Sequence, residues 1–193
     1  MTDTKFLEDQ QILSVDFSGQ SLEGDTYIKC QFKNCNFSDT LLRGAKFISC
    51  TFNSCNFSLA KMEGCRFQDA TFIDSKVVGG AFFKCERILF SVNFTGSTLL
   101  YCNFSELNLK GVHFKRCTLK ECHFSNTQLS GASFEETDLS GTLFHNSDLS
   151  NANFVSATHY NIDPRTNKIK HAKFSLLEAV GLLQAFEITI VDL

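Results

Sequence analysis

An apolar residue recurs at every fifth position over two long blocks of the chain. The first runs Phe17, Leu22, Tyr27, Phe32, Phe37, Leu42, Phe47, Phe52, Phe57, Met62, Phe67, Phe72, Val77 and Phe82. The second runs Phe94, Leu99, Phe104, Leu109, Phe114, Leu119, Phe124, Leu129, Phe134, Leu139, Phe144, Leu149 and Phe154. With 43% of the chain apolar, 27 hits without a miss have a chance of roughly one in 10^10 before register is chosen, so the period is real. A step of five scatters these residues around an α-helix and alternates them across a flat strand. Neither regular element buries them all. A chain that turns a corner every five residues does, with each large side chain directed at a common axis, and that is a solenoid.

The other positions of the unit fit this geometry. Two residues before the large one stand small side chains, including eight of the nine Cys and Ala45, Ala60, Ala70, Ala132 and Ala152. Two residues after it stand nine of the eleven Gly, among Ser, Asn and Asp that suit tight turns. Segments such as Cys35-Asn36-Phe37, Thr137-Asp138-Leu139 and Ala152-Asn153-Phe154 resemble the repeat of the pentapeptide-repeat family: a small residue, Asp or Asn, Leu or Phe, then two variable positions. The resemblance covers about residues 15–157. It implies an all-β solenoid, a right-handed quadrilateral β-helix with four pentapeptides per coil. The 27 units then make about seven coils, a rod of about 33 Å at ~4.8 Å per stacked strand. Residues 1–14 read as an N-terminal cap and 158–193 as a C-terminal extension.

From Phe82 to Phe94 the spacing is 12, which is two residues beyond two repeats or seven beyond one. In the old frame Arg87 would enter the Phe core unpaired, at prohibitive cost, so a bulge or short loop is expected at about 83–90. Phe83, Lys84, Glu86 and Arg87 could form a recognition surface there, since rigid scaffolds display binding residues on such excursions. The plainer reading, which we prefer, is an insertion that packs Phe83, Ile88 or Phe90 against the coil. After Ala157 the repeat dissolves through a segment holding the only Pro, and SLLEAVGLLQAF reads as a helix with a Ser175/Glu178 capping box. Its stripe of Leu176, Ala179, Val180, Leu183 and Phe186 leaves Leu177 and Leu182 outside it, more apolar surface than one contact needs. Leu176, Leu177, Val180, Leu183 and Phe186, with Ile188, Ile190 and Val191 beyond, point to a homodimer of two rods end to end rather than a cap alone.

Composition changes the picture little. The 21 Phe and 9 Cys, with one Pro and no Trp, are the large residue and its small neighbour counted along the repeat. The Cys follow that period and no C-x-x-C spacing, so they read as core fillers and not as metal ligands. The five His show no zinc or triad spacing. No catalytic residue, cofactor or metal is expected, and an enzyme is not. No apolar run approaches the roughly 20 residues of a spanning helix, and the N-terminal segment has no signal-peptide pattern, so a cytoplasmic protein that binds neither membrane nor nucleic acid directly is expected.

Charge is informative by region. The net charge of -3 resolves into -4 over residues 1–30, +6 over 31–120 and -5 over 121–150. Within the last block Lys115 lies one coil from Glu135 and Arg116 one coil from Glu136, placed for ion pairs. Glu121, Asp138 and Asp148 are the better candidates for an outward anionic surface. The family resemblance extends to Qnr-type quinolone-resistance proteins and implies a dimeric rod bound by DNA gyrase or topoisomerase IV where DNA would lie, its carboxylates standing in for phosphates. The alternative is a structural protein-interaction module with no topoisomerase role. A contiguous carboxylate stripe would favour the first; alternating salt bridges without a stripe would favour the second.

Overall fold

The structure, a computed structural model, describes residues 4–186 together with 188 and 191. Short parallel strands pair with the segment twenty positions later. Leu7, Tyr27, Phe47 and Phe67 stack on the first side; Ile12, Phe32, Phe52 and Phe72 stack on the second. Bridges from Asp16 to Asn36 and from Ser21 to Leu41 continue the same step on the third and fourth sides. Twenty is four units of five, so each coil has four sides and the fold is a β-solenoid, of about eight turns.

Stacking in register puts like on like in the interior. Phe37 lies parallel to Phe17 at 4.9 Å and to Phe57 at 4.5 Å, while its neighbour on the adjoining side, Phe32, meets it edge-on at 5.4 Å. Columns are therefore stacked and adjoining columns are T-shaped, the two arrangements that the aromatic quadrupole favours. The small position does more than fill space. The Cys50 thiol donates to the Tyr27 carbonyl and the Thr40 hydroxyl to that of Phe17. Ser75, Thr127, Thr137 and Ser147 donate likewise to the residue 23 positions earlier. Several hydroxyls also accept: Ser147 Oγ takes the Thr127 N–H while Asn167 Oδ1 takes that of Ser147. Cys, Ser and Thr are thus rungs between coils, which explains their preference over Ala there. Burial pushes the thiols of Cys50, Cys55 and Cys117 up to about 12.

The break has a simple geometry. Phe72 pairs with Phe94 and Val77 with Leu99, and Phe82 stacks on Phe104 at 4.5 Å. The step is 22 on these three sides, which selects two residues beyond two repeats. The extra residues sit on the first side, where Phe90 is buried against Phe82 at 6.3 Å. Ile88 and Leu89 are exposed there, and Leu89 takes a positive φ of 59°. Arg87 stays outside and pairs with Glu106 at 2.8 Å.

The ladder extends past 15–157 at both ends. Phe6–Glu8 and Gln11–Leu13 are strands of the first coil. At the other end Ile162 stacks on Phe144 and Phe174 on Phe154, with Asn167 in the small position. Residues that look irregular in sequence therefore complete another coil of twenty, in which Ile162 comes two residues early and Asp163–Thr166 restores the count. The closing helix is short: an α-helical turn over Leu176–Ala179 continues as a 3-10 helix over Val180–Phe186. The expected capping box does not form. Ser175 makes no side-chain cap bond; its hydroxyl instead accepts the Ser156 N–H at 2.9 Å.

Two outcomes follow from this core. Phe104 touches rings on every side, so Phe104→Ala should cost about 3–5 kcal/mol in denaturant unfolding. All nine Cys are free and buried, so a thiol reagent should label none in the native protein at neutral pH and all nine in denaturant.

Candidate interaction surfaces

The residues at 83–87 form no separate loop. Glu86 receives two hydrogen bonds from the Arg66 guanidinium, at 2.9 and 2.6 Å. Lys84 reaches Glu63 at 2.9 Å and lies 6.0 Å from the ring centre of Phe83. With Arg87 on Glu106, each charged residue of the segment is tied to an adjoining coil, and Phe83 is partly exposed beside Lys84. The cause is the register: side chains one coil apart stand close enough to pair whenever their charges are opposite.

The carboxylates of 121–150 are distributed over three sides. Glu135 and Glu136 follow Phe134 on the second side, Asp138 and Glu121 lie on the third, and Asp148 is on the first. Lys115 pairs with Glu135 at 3.1 Å; the companion pair of Arg116 with Glu136 is absent among the described residues. Asp138 is the most engaged. Its carboxylate accepts from the Ser140 N–H and hydroxyl, contacts His159 Nδ1 at 2.9 Å and Lys120 Nζ at 3.6 Å. Partial burial works to raise its pKa, but the Ser140 hydrogen bonds and His159 outweigh it and hold the group below the ordinary value of 3.8. Asp138 is thus tied to neighbours and does not stand free on an anionic surface: Lys120 lies 18 residues before it and His159 21 after it, on the adjoining coils but off the twenty-residue step. Asp148 is held low by Ser150, with Lys168 and Lys110 contributing. The Glu121 carboxylate lies against Gly141, in the space a Cβ would occupy. Only its glycine neighbour one coil on hinted at this.

The C-terminal residues behave differently. Leu176 and Leu177 are 87% and 86% exposed, and Val180, Leu183 and Phe186 are about half exposed. Phe186 is covered on one face by the Arg165 guanidinium at 5.9 Å. The off-stripe Leu182 is the residue that packs on the core, so the expected stripe points away from the solenoid. Ile188 and Val191 are also exposed; Ile190 lies outside the described residues. Beneath this segment the buried Tyr160 hydroxyl has no hydrogen-bond partner.

Among the described residues no group of three His, Cys, Asp or Glu is arranged to hold a metal, and no helix is long and apolar enough to cross a membrane. One outcome tests the Asp138 cluster. Its depressed pKa contributes stability that is present above the ordinary Asp value and lost as pH falls through the folded one. Thermal melts below about pH 4 should therefore drop less steeply for Asp138→Asn than for the unaltered protein, with the gap closing at the lowest pH.

Comparison with known proteins agrees with this geometry. The family model described as "Pentapeptide repeat region" matches residues 45–121, and one for the "SV2A/B/C luminal domain" matches 90–163. No curated protein matches the sequence. Among solved structures, full-length QnrB1, a plasmid-mediated fluoroquinolone resistance protein, has a TM-score of 0.51 at 17% identity, covering 95% of this chain and 100% of that one. A trypsin-treated QnrB1 variant aligns over 98% of this chain and 92% of its own at 24% identity, with a TM-score of 0.48. HetL, a pentapeptide-repeat protein involved in heterocyst differentiation regulation in Nostoc sp. strain PCC 7120, aligns over 88% and 84% at 17% identity and a TM-score of 0.42. Five-residue period, twenty-residue coil and the family match over residues 45–121 coincide, and the chain has the β-solenoid fold of the pentapeptide-repeat proteins to which it is similar.

Proposed function

We propose that this protein is a non-enzymatic interaction rod that self-associates through its C-terminal helix and presents its outer sides to a protein partner. The observation that carries this is the contrast between the two ends of the charge and burial scale. The carboxylates are spread over three sides and interleaved with cations one coil away, whereas Leu176 and Leu177 of the helix are almost wholly uncovered. Such alternation supports an interaction module over a phosphate-like stripe, and clustered exposed aliphatics mark a contact surface. On this reading Val180→Asp or Leu183→Asp yields monomers by light scattering while the unaltered chain is dimeric. An unaltered chain that is monomeric would leave the helix as a cap only.

A second reading names the partner as DNA gyrase or topoisomerase IV, with protection from a quinolone or toxin as the outcome. It is supported by the likeness in fold to QnrB1 over nearly the whole of both chains. Glu121, Asp148 and Phe83 are the residues to alter first, since among the described residues none of them forms an ion pair. Purified protein titrated into a supercoiling assay, with and without a quinolone, tests it. Inhibition or protection supports the second reading; neither effect, with no co-purifying topoisomerase subunit, leaves the interaction rod with another partner.

A further inference from the structure

The last coils carry a cationic surface that the total charge conceals. Lys110, Ser130, Ser150 and Lys170 occupy the same outward place on successive coils of the first side, as the backbone bonds of the following residues show. Lys168 stands beside this column on the bridge to Asp148, and Lys173 begins the adjoining second side, paired in register with Asn153. All four lysines are exposed, and among the described residues none forms an ion pair. The acidic groups near them are few. Asp148 accepts from the Ser150 N–H and is also held low by Lys168 and Lys110, Asp163 is bound by Arg165 at 2.9 Å, and Glu135 and Glu136 lie at the far edge of the second side. Between the lysines the surface is small and polar, and the corner glycines Gly111 and Gly131 leave open space where a Cβ would project.

We propose that this surface binds the phosphate backbone of duplex nucleic acid without reading its sequence. Lys110 and Lys170 are three coils apart, about 14 Å at ~4.8 Å per coil, a span that meets several phosphates on a duplex carrying one charge per ~1.7 Å. Lysine, serine and asparagine are the side chains that contact phosphate and sugar. Ile169, between Lys168 and Lys170, packs against the core, while the exposed Leu176 and Leu177 stand in the helix beyond Lys173, so a lipid surface is the competing ligand that the test must separate. No aromatic ring other than histidine is there to stack unpaired bases, which favours a duplex over a single strand. The proposal is independent of the topoisomerase reading, which rests on other residues, and it amends the expectation of no nucleic-acid contact: a near-neutral total says little when the charges are segregated.

The test is fluorescence anisotropy of a short labelled duplex of mixed sequence. The full chain is expected to bind at about 50 mM salt and to lose roughly 40- to 150-fold in affinity by about 200 mM, as three to four phosphate contacts require. Lys168→Glu, Lys170→Glu and Lys173→Glu together should abolish binding with an unchanged melting temperature. Lys110→Glu alone should weaken it several-fold, and Lys33→Glu, on the opposite half of the rod, should leave it intact. Absence of duplex binding at the lower salt, equal binding by the triple variant, or capture by phosphatidylserine vesicles in place of the duplex would each overturn the proposal.

Discussion

The molecule depends on one constraint: each large side chain must lie over the equivalent side chain of the coil before it. The core of a solenoid is only one residue deep on each side, so no second layer can compensate for a misplaced ring. Parallel stacking at about 5 Å and backbone pairing at strand spacing are satisfied by the same translation. That coincidence makes Phe suited to the column and makes the repeat length non-negotiable within a coil. The rungs of Cys, Ser and Thr follow from it, because the same translation brings each small polar side chain under the carbonyl 23 residues back.

The corners carry the cost of that regularity. Positive φ is taken by Lys29, Leu59, Tyr101, Arg116 and Glu136 as well as by Gly, Asn and Asp, and for the bulky residues this conformation is disfavoured by roughly 1–2 kcal/mol each. Ladder bonds and ring stacking on both flanks overrule the local preference. The variety of residues tolerated at the corner is what leaves the outer surface free to differ from coil to coil while the interior stays uniform.

This explains which features were legible in the sequence. The period, the coil size and the role of Phe follow from spacing, since they involve the axis alone. The ends were harder. Leu7 and Ile12 continue the count from Phe17 but stand where small positions are filled by Lys5 and Gln10; at the other end Asn167 and Phe174 keep the twenty-residue step, but Ile162 comes two residues early and His159 and Pro164 stand where the five-residue count calls for a large apolar residue, so periodicity fades though the ladder does not. Surface chemistry was partly legible: Lys115 with Glu135 follows from the one-coil step, whereas Asp138 gathers Lys120 and His159 by reach across positions that no fixed spacing relates. The cap is a case of competition. Ser175 has the residues of a capping box, but the nearer orphan donor, the Ser156 N–H, takes its hydroxyl.

The two residues added near Leu89 carry a consequence for how such a chain can change. On every side the step returns to twenty immediately after the single coil that contains them, so the addition is quarantined between two neighbours. A compact domain with a shared core would transmit such a change to distant contacts; a stack transmits it only to the coils above and below. The first side near residue 88 is therefore a seam at which length can be gained or lost without re-registering the rest of the rod, and a foreign segment grafted there would be carried on the outside of an unaltered scaffold.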